Sequence, residues 1–281
     1  MSDPGDMRDG ARPRLLVIGT SHAGTLRMAE PAIAADWPDR RPQWYALPGG
    51  AFATARRDAE GYFGPDPDHP TGPRKAIEWN GRDRIDLRPH DRILLVGERF
   101  RLFYIAALLR DVDIWDHPSR GAARSLSLAF VTDAIRALVD LAADQVLAQF
   151  GPDARITVAP APYPLLRAGE RGWGHDRAIA GLRGLPAAAE IEALYERIIG
   201  EALSARGYGC LFQPDETRAG PFATADRFAR PGPDAAPGAT PLRPDLRHMN
   251  AAFGHLVYAA WMQRLAAEPA PQGLSAAPHL P

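Results

Sequence analysis

The chain has 281 residues, 46% of them hydrophobic, and its 33 Lys+Arg against 34 Asp+Glu give a formal net charge of -1. That composition is too apolar for a mostly disordered chain, and the balanced charge gives no electrostatic case for nucleic acid or an anionic membrane surface. The single cysteine, Cys210, excludes an internal disulfide and argues against a cysteine-based zinc site.

Residues 1–13 read as a polar leader of mixed charge, without the basic start and apolar core of a secretory signal. No apolar run reaches the roughly 18–20 residues that a membrane span needs. A cytoplasmic protein without a membrane partner is the expectation. Residues 14–266 read as a single folded domain and 267–281 as a disordered Ala/Pro-rich tail.

Arg14-Leu15-Leu16-Val17-Ile18-Gly19 is a short, continuous apolar run closed by glycine, the pattern of a strand buried on both faces. Thr20-Ser21-His22 follows, then a predicted helix over 24–35. Gln43–Leu47 predicts a second strand, ended by the turn Pro48-Gly49-Gly50. Residues 61–73 read as a surface loop, and Arg92–Gly97 as a third strand like the first.

Val131, Ile135, Leu138, Val139, Ala142, Val146 and Phe150 share one helical face, with Gly151-Pro152 as the stop. Ala154–Ala159 predicts a strand. Ile191, Leu194, Tyr195, Ile198, Ala202 and Leu203 share the face of another helix, between Pro186 and Gly207. Gly209–Phe212 reads as a short buried strand, which makes Cys210 a structural thiol. Residues 231–244 are too rich in Pro and Gly for regular structure, and a last helix covers about 250–266. Strands alternating with helices predict an α/β fold with a parallel sheet covered on both faces, and ligands beyond the carboxyl ends of its strands.

Ser21 stands directly after the first strand. Either it caps the following helix, as serine often does, or its hydroxyl projects from a sharp turn toward a base. Asp245-Leu246-Arg247-His248 supplies a carboxylate and an imidazole three residues apart, close enough to meet across one helical turn. His22 adjoins Ser21 and reads as a substrate contact or a surface residue of the first turn. Trp173 reads as a loop anchor or a stacking surface for a sugar ring. No metal-ligand spacing, P-loop or dinucleotide fingerprint is present, so no cofactor is expected.

Ile18-Gly19-Thr20-Ser21-His22 resembles the first block of the SGNH (GDSL-like) hydrolases, in the Gly-x-Ser-His variant. Asp245-Leu246-Arg247-His248 resembles their last block, and its continuation through Asn250 and Phe253-Gly254 resembles a bacterial branch of them. The resemblance implies a flavodoxin-like three-layer αβα sandwich with a central parallel sheet. It implies Ser21 as nucleophile, His248 as general base and Asp245 as its orienting acid. Gly50, or Gly49 beside it, matches the glycine whose N–H helps to bind the oxyanion. The third block, where the family has Gly followed by Asn, falls here on Gly97-Glu98-Arg99. Arg99 is a donor and could stand in for the missing amide if it points inward; Glu98 would oppose developing charge if ionised. Alternatively, Glu98 and Arg99 form a solvated loop pair. Asn250 joins the substrate-binding candidates. The implied activity is acyl-ester hydrolysis, a carbohydrate O-deacetylase being one form of it, with a small-molecule or carbohydrate ester as partner. An O-acyltransferase with the same triad and a non-catalytic binding protein of the same fold are the alternatives.

Overall fold

The computed structural model describes residues 12–171, 174–230 and 245–268. The leader up to residue 11, Trp173, the segment 231–244 and the tail from 269 lie outside the described residues.

The first half of the chain forms β1 (Leu15–Gly19), α1 (Ala23–Met28), α2 (Glu30–Asp36), β2 (Gln43–Ala46), α3 (Gly49–Thr54), β3 (Arg56–Arg57), β4 (Tyr62–Gly64), α4 (Gly72–Asn80), β5 (Ile85–Asp86), β6 (Arg92–Glu98) and α5 (Leu102–Leu108). The second half forms β7 (Val112–Ile114), β8 (Arg124–Leu126), α6 (Leu128–Phe150), β9 (Ile156–Pro160), α7 (Ala168–Arg171), α8 (Gly174–Gly181), α9 (Ala188–Ser204), β10 (Gly209–Cys210) and α10 (Ala251–Ala267).

The central sheet has five parallel strands in the order β10-β9-β6-β1-β2. Numbered among themselves along the chain, these strands run 2-1-3-4-5, one of the common doubly wound orders. Side chains alternate across a strand, and the two faces of β1 serve two separate cores. Leu16 and Ile18 pack in a core with Ile93, Leu95, Ile156 and Val158, covered by α3, α5, α6 and α9. Leu15 and Val17 join Leu94 and Val96 in a second core, closed by α1, α2 and α10. The buried middle strands, each facing helices on both sides, explain the unbroken apolar runs in the sequence. No helix among the described residues is long and apolar enough to cross a membrane.

Several boundaries differ from the sequence expectation. The helix expected over 24–35 is two helices, α1 and α2, which meet at Ala29. Pro31 carries no N–H to continue the first ladder, and its ring crowds the carbonyl four residues back. The expected loop 61–73 contains β4, the centre of a small antiparallel sheet with β3 and β5. The helix ending at Phe150 matches α6, whose Ser127 accepts the Phe130 N–H as its cap. The strand at 209–212 shortens to β10 at the sheet edge, which leaves Cys210 only partly buried.

Candidate active site

β1 and β6 are neighbours at the point where the strand order reverses, and their carboxyl ends open onto a shared rim. Ser21 follows β1 there. Its hydroxyl does not cap α1; it lies 2.8 Å from His248 Nε2. On the far side of the same ring, His248 Nδ1 is 2.8 Å from Asp245 Oδ2.

Two contacts bring these distant segments together. Gly254 of α10 packs against α1 so closely that a Cβ would sit 2.3 Å from the Thr25 carbonyl oxygen. The Thr25 hydroxyl donates to the Met249 carbonyl at 3.2 Å. Helix α10 is thereby pinned to the helix that follows Ser21, and the residues just before α10 are delivered to the rim.

Asp245 and His248 were expected to meet across a helical turn; they meet in the segment before α10. Asp245 Oδ1 accepts the main-chain N–H groups of Arg247 and His248, at 3.1 and 3.0 Å, forming an aspartate turn. Burial raises the Asp245 pKa, but the hydrogen bonds from the His248 ring and main chain outweigh it and hold the carboxyl well below the usual range. Asp245 is therefore an anion, an acceptor only, so the Nδ1 of His248 carries the proton and Nε2 presents its lone pair to Ser21.

The other predicted residues take different places. The Ser21 main-chain N–H has no backbone partner among the described residues, nor do those of Gly49 and Gly50, exposed in the first turn of α3. These groups lie beyond the carboxyl ends of the adjacent strands β1 and β2. Gly97 has φ +102°, and a Cβ there would lie 2.3 Å from Thr20 Oγ1 and 3.2 Å from His22 Cβ. Its bareness makes room for the Thr20–His22 turn. Asn250 caps α10 by accepting the Phe253 N–H, and its amide donates to the Arg227 carbonyl. Both ends of that side chain are thus engaged within the fold.

His22 is buried, not a surface residue, and neither ring nitrogen has a hydrogen-bond partner among the described residues. Its ring centroid lies 5.1 Å from that of His248. Burial, then the nearness of His248 and Arg99, lowers its pKa to about 3, so the imidazole is neutral at physiological pH.

Glu98 and Arg99 do not pair with each other. Glu98 Oε1 turns back to accept the main-chain N–H groups of Arg99 and Phe100, at 3.0 and 3.1 Å. It shapes a turn in which Phe100 and Arg101 both adopt positive φ. Arg99 stands exposed at the rim of a cavity of about 300 Å³ beside Ser21 and His248. The cavity was not foreseen: its walls come from the ends of β6 and β9, from α5 and α9, and from Asp176 and Arg247. Arg247 Nε lies 2.9 Å from both carboxylate oxygens of Asp176. No local motif marks this second pair, whose members are 71 residues apart. His255, on α10, pairs with Asp36.

The chain matches no protein-family model and no curated protein.

Proposed function

We propose that this chain is a serine-dependent acyl-ester hydrolase of the SGNH type, with Ser21, His248 and Asp245 as its triad. The observation that carries the reading is the continuous relay from hydroxyl to imidazole to carboxylate, with both links at 2.8 Å.

In the proposed reaction His248 Nε2 takes the proton of the Ser21 hydroxyl as Oγ attacks the ester carbonyl. Asp245 steadies the imidazolium that forms. The tetrahedral intermediate collapses when His248 gives its proton to the departing alkoxide, which leaves as the alcohol and an acyl-Ser21 ester. Water then attacks the acyl group, with His248 again as base. Release of the carboxylic acid restores the free hydroxyl. The unpartnered main-chain N–H of Ser21 and those of Gly49 and Gly50 are the candidate oxyanion donors.

The missing third-block amide places more weight on these main-chain donors. Loss of one oxyanion donor costs about 100- to 1000-fold in rate, so a slow enzyme is expected. Turnover of p-nitrophenyl acetate by the wild type and by Ser21→Ala tests the reading. Hydrolysis that vanishes in the variant supports it. Hydrolysis that persists at the wild-type rate contradicts it.

A further inference from the structure

The cavity beside the triad carries an unusual balance of charge. Three arginines, Arg99, Arg101 and Arg247, line it together with three acids, Glu98, Asp176 and Glu196. Asp176 is committed to Arg247 at 2.9 Å. Glu196 pairs at 2.8 Å with Arg218, which lies outside the lining and also meets Glu192 and Asp215, and it accepts the Tyr163 hydroxyl at 2.9 Å. Glu98 is left to answer both Arg99 and Arg101, and its Oε1 is already occupied by two main-chain N–H groups. Arg247 thus has Asp176 and Arg101 donates to Gln145 at 3.1 Å, which leaves one guanidinium of the lining without a partner.

That residue is Arg99. Its guanidinium has no ion pair or hydrogen bond among the described residues; burial and the nearby Arg247 disfavour its charge, and Asp176 and Glu98 favour it from a distance. Its main chain is nevertheless held firmly, since the Tyr195 hydroxyl donates to the Arg99 carbonyl at 2.9 Å. Two further groups in the lining are unsatisfied. The Arg101 Nε is buried without a partner, as are both ring nitrogens of the buried His22. Buried donors without partners are uncommon and call for an explanation, a ligand among them.

The remaining walls are mostly apolar, including Leu102, Phe103, Ile179, Ile199 and Phe212. Such a cavity, at the small end of the ligand-binding range, suits an organic molecule with few polar groups. A single unpartnered guanidinium matches a monoanion, and its planar fork matches a carboxylate. Arg247 follows the triad carboxylate by two residues and His22 packs on the His248 ring, so the anion would sit within one small molecule's length of the scissile bond.

We propose that this cavity is a substrate subsite for the carboxylate of a small ester, with Arg99 as its counter-ion. The proposal rests on the hydrolase reading only in naming the ligand as a substrate; binding of the anion does not require turnover.

Monomethyl glutarate and dimethyl glutarate, equal in chain length and different in charge, serve as probes for both properties. Binding is measured by titration calorimetry with Ser21→Ala, and turnover as methanol release by the wild type. The monoanion binds Ser21→Ala about tenfold or more tighter than the diester, and a second change, Arg99→Gln, removes that preference. In the otherwise wild-type enzyme Arg99→Gln lowers the ratio of kcat/KM for monoester to diester by a similar factor, and Arg99→Lys restores part of it. Equal binding of the two probes, no binding of either, or an equal loss of both activities in Arg99→Gln overturns the subsite. Arg99-dependent binding of the monoanion without any turnover would instead count against the hydrolase and leave the subsite standing.

Discussion

Asp245 holds His248 twice: Oδ1 accepts its main-chain N–H at 3.0 Å, and Oδ2 meets its ring Nδ1 at 2.8 Å. One carboxylate thus fixes both where the imidazole sits and which nitrogen bears the proton. Asp245→Asn keeps the size of the side chain but offers an amide in place of an anion. The ring then loses its preference for the Nδ1–H form, and the imidazolium loses its counter-charge. The expected result is a fall in kcat of about 10⁴-fold with little change in circular dichroism, following the precedent for such triads. A loss below about tenfold would mean that Asp245 does not set the tautomer.

His22 gives the fold a pH dependence of known sign. Its pKa is lowered to about 3 in the folded state, from 6.5 for an unburied imidazole. Below pH 6.5 the unfolded chain takes up a proton that the folded chain refuses, so stability falls as the pH drops from 6.5 toward 3. The slope approaches about 1.4 kcal/mol per pH unit within that window. Urea midpoints measured between pH 7 and 4 check this: His22→Gln flattens the dependence by that one-proton slope.

Gly97 combines a positive φ with the absence of space for a Cβ. Gly97→Ala is expected to cost at least about 1–3 kcal/mol for the backbone conformation alone, with the overlap on Thr20 Oγ1 added. Because the same overlap pushes on the turn that carries Ser21, the proposed esterase activity is expected to fall as well, even below the unfolding temperature. Thermal unfolding and residual activity, measured side by side, separate the two effects.

Glu98 acts as an acceptor for main-chain donors. Glu98→Ala leaves the N–H groups of Arg99 and Phe100 without their partner and is expected to destabilise the fold by about 1–3 kcal/mol. Glu98→Gln keeps a carbonyl oxygen at the same reach and regains most of that loss. If both variants unfold at the same denaturant concentration, the two hydrogen bonds do not hold the turn.

Much of this arrangement is legible in the sequence wherever one element reports on itself. β1, β6 and β9 declare themselves as apolar runs because they are buried on both faces, and α6 declares itself by one apolar stripe and the Gly151-Pro152 stop. The residues of the proposed triad are visible as two short motifs. What the sequence conceals is set by tertiary contact. β3, β4 and β5 are two or three residues long, too short for alternation to emerge. Glu98 reads as a charge near an oxyanion until its carboxylate is seen folded back onto its own main chain. The cavity exists only where β6, β9, α5 and α9 converge, and Asp176 finds Arg247 across 71 residues with no spacing to signal it.

The most direct measurement is labelling by a fluorophosphonate, which reacts only with a serine whose hydroxyl is activated. Mass spectrometry of the labelled wild type is expected to find the adduct on Ser21, with labelling abolished in a folded His248→Ala variant. A folded wild-type protein that leaves Ser21 unlabelled, or that labels equally well without His248, would contradict the activation of this hydroxyl by the imidazole 2.8 Å away.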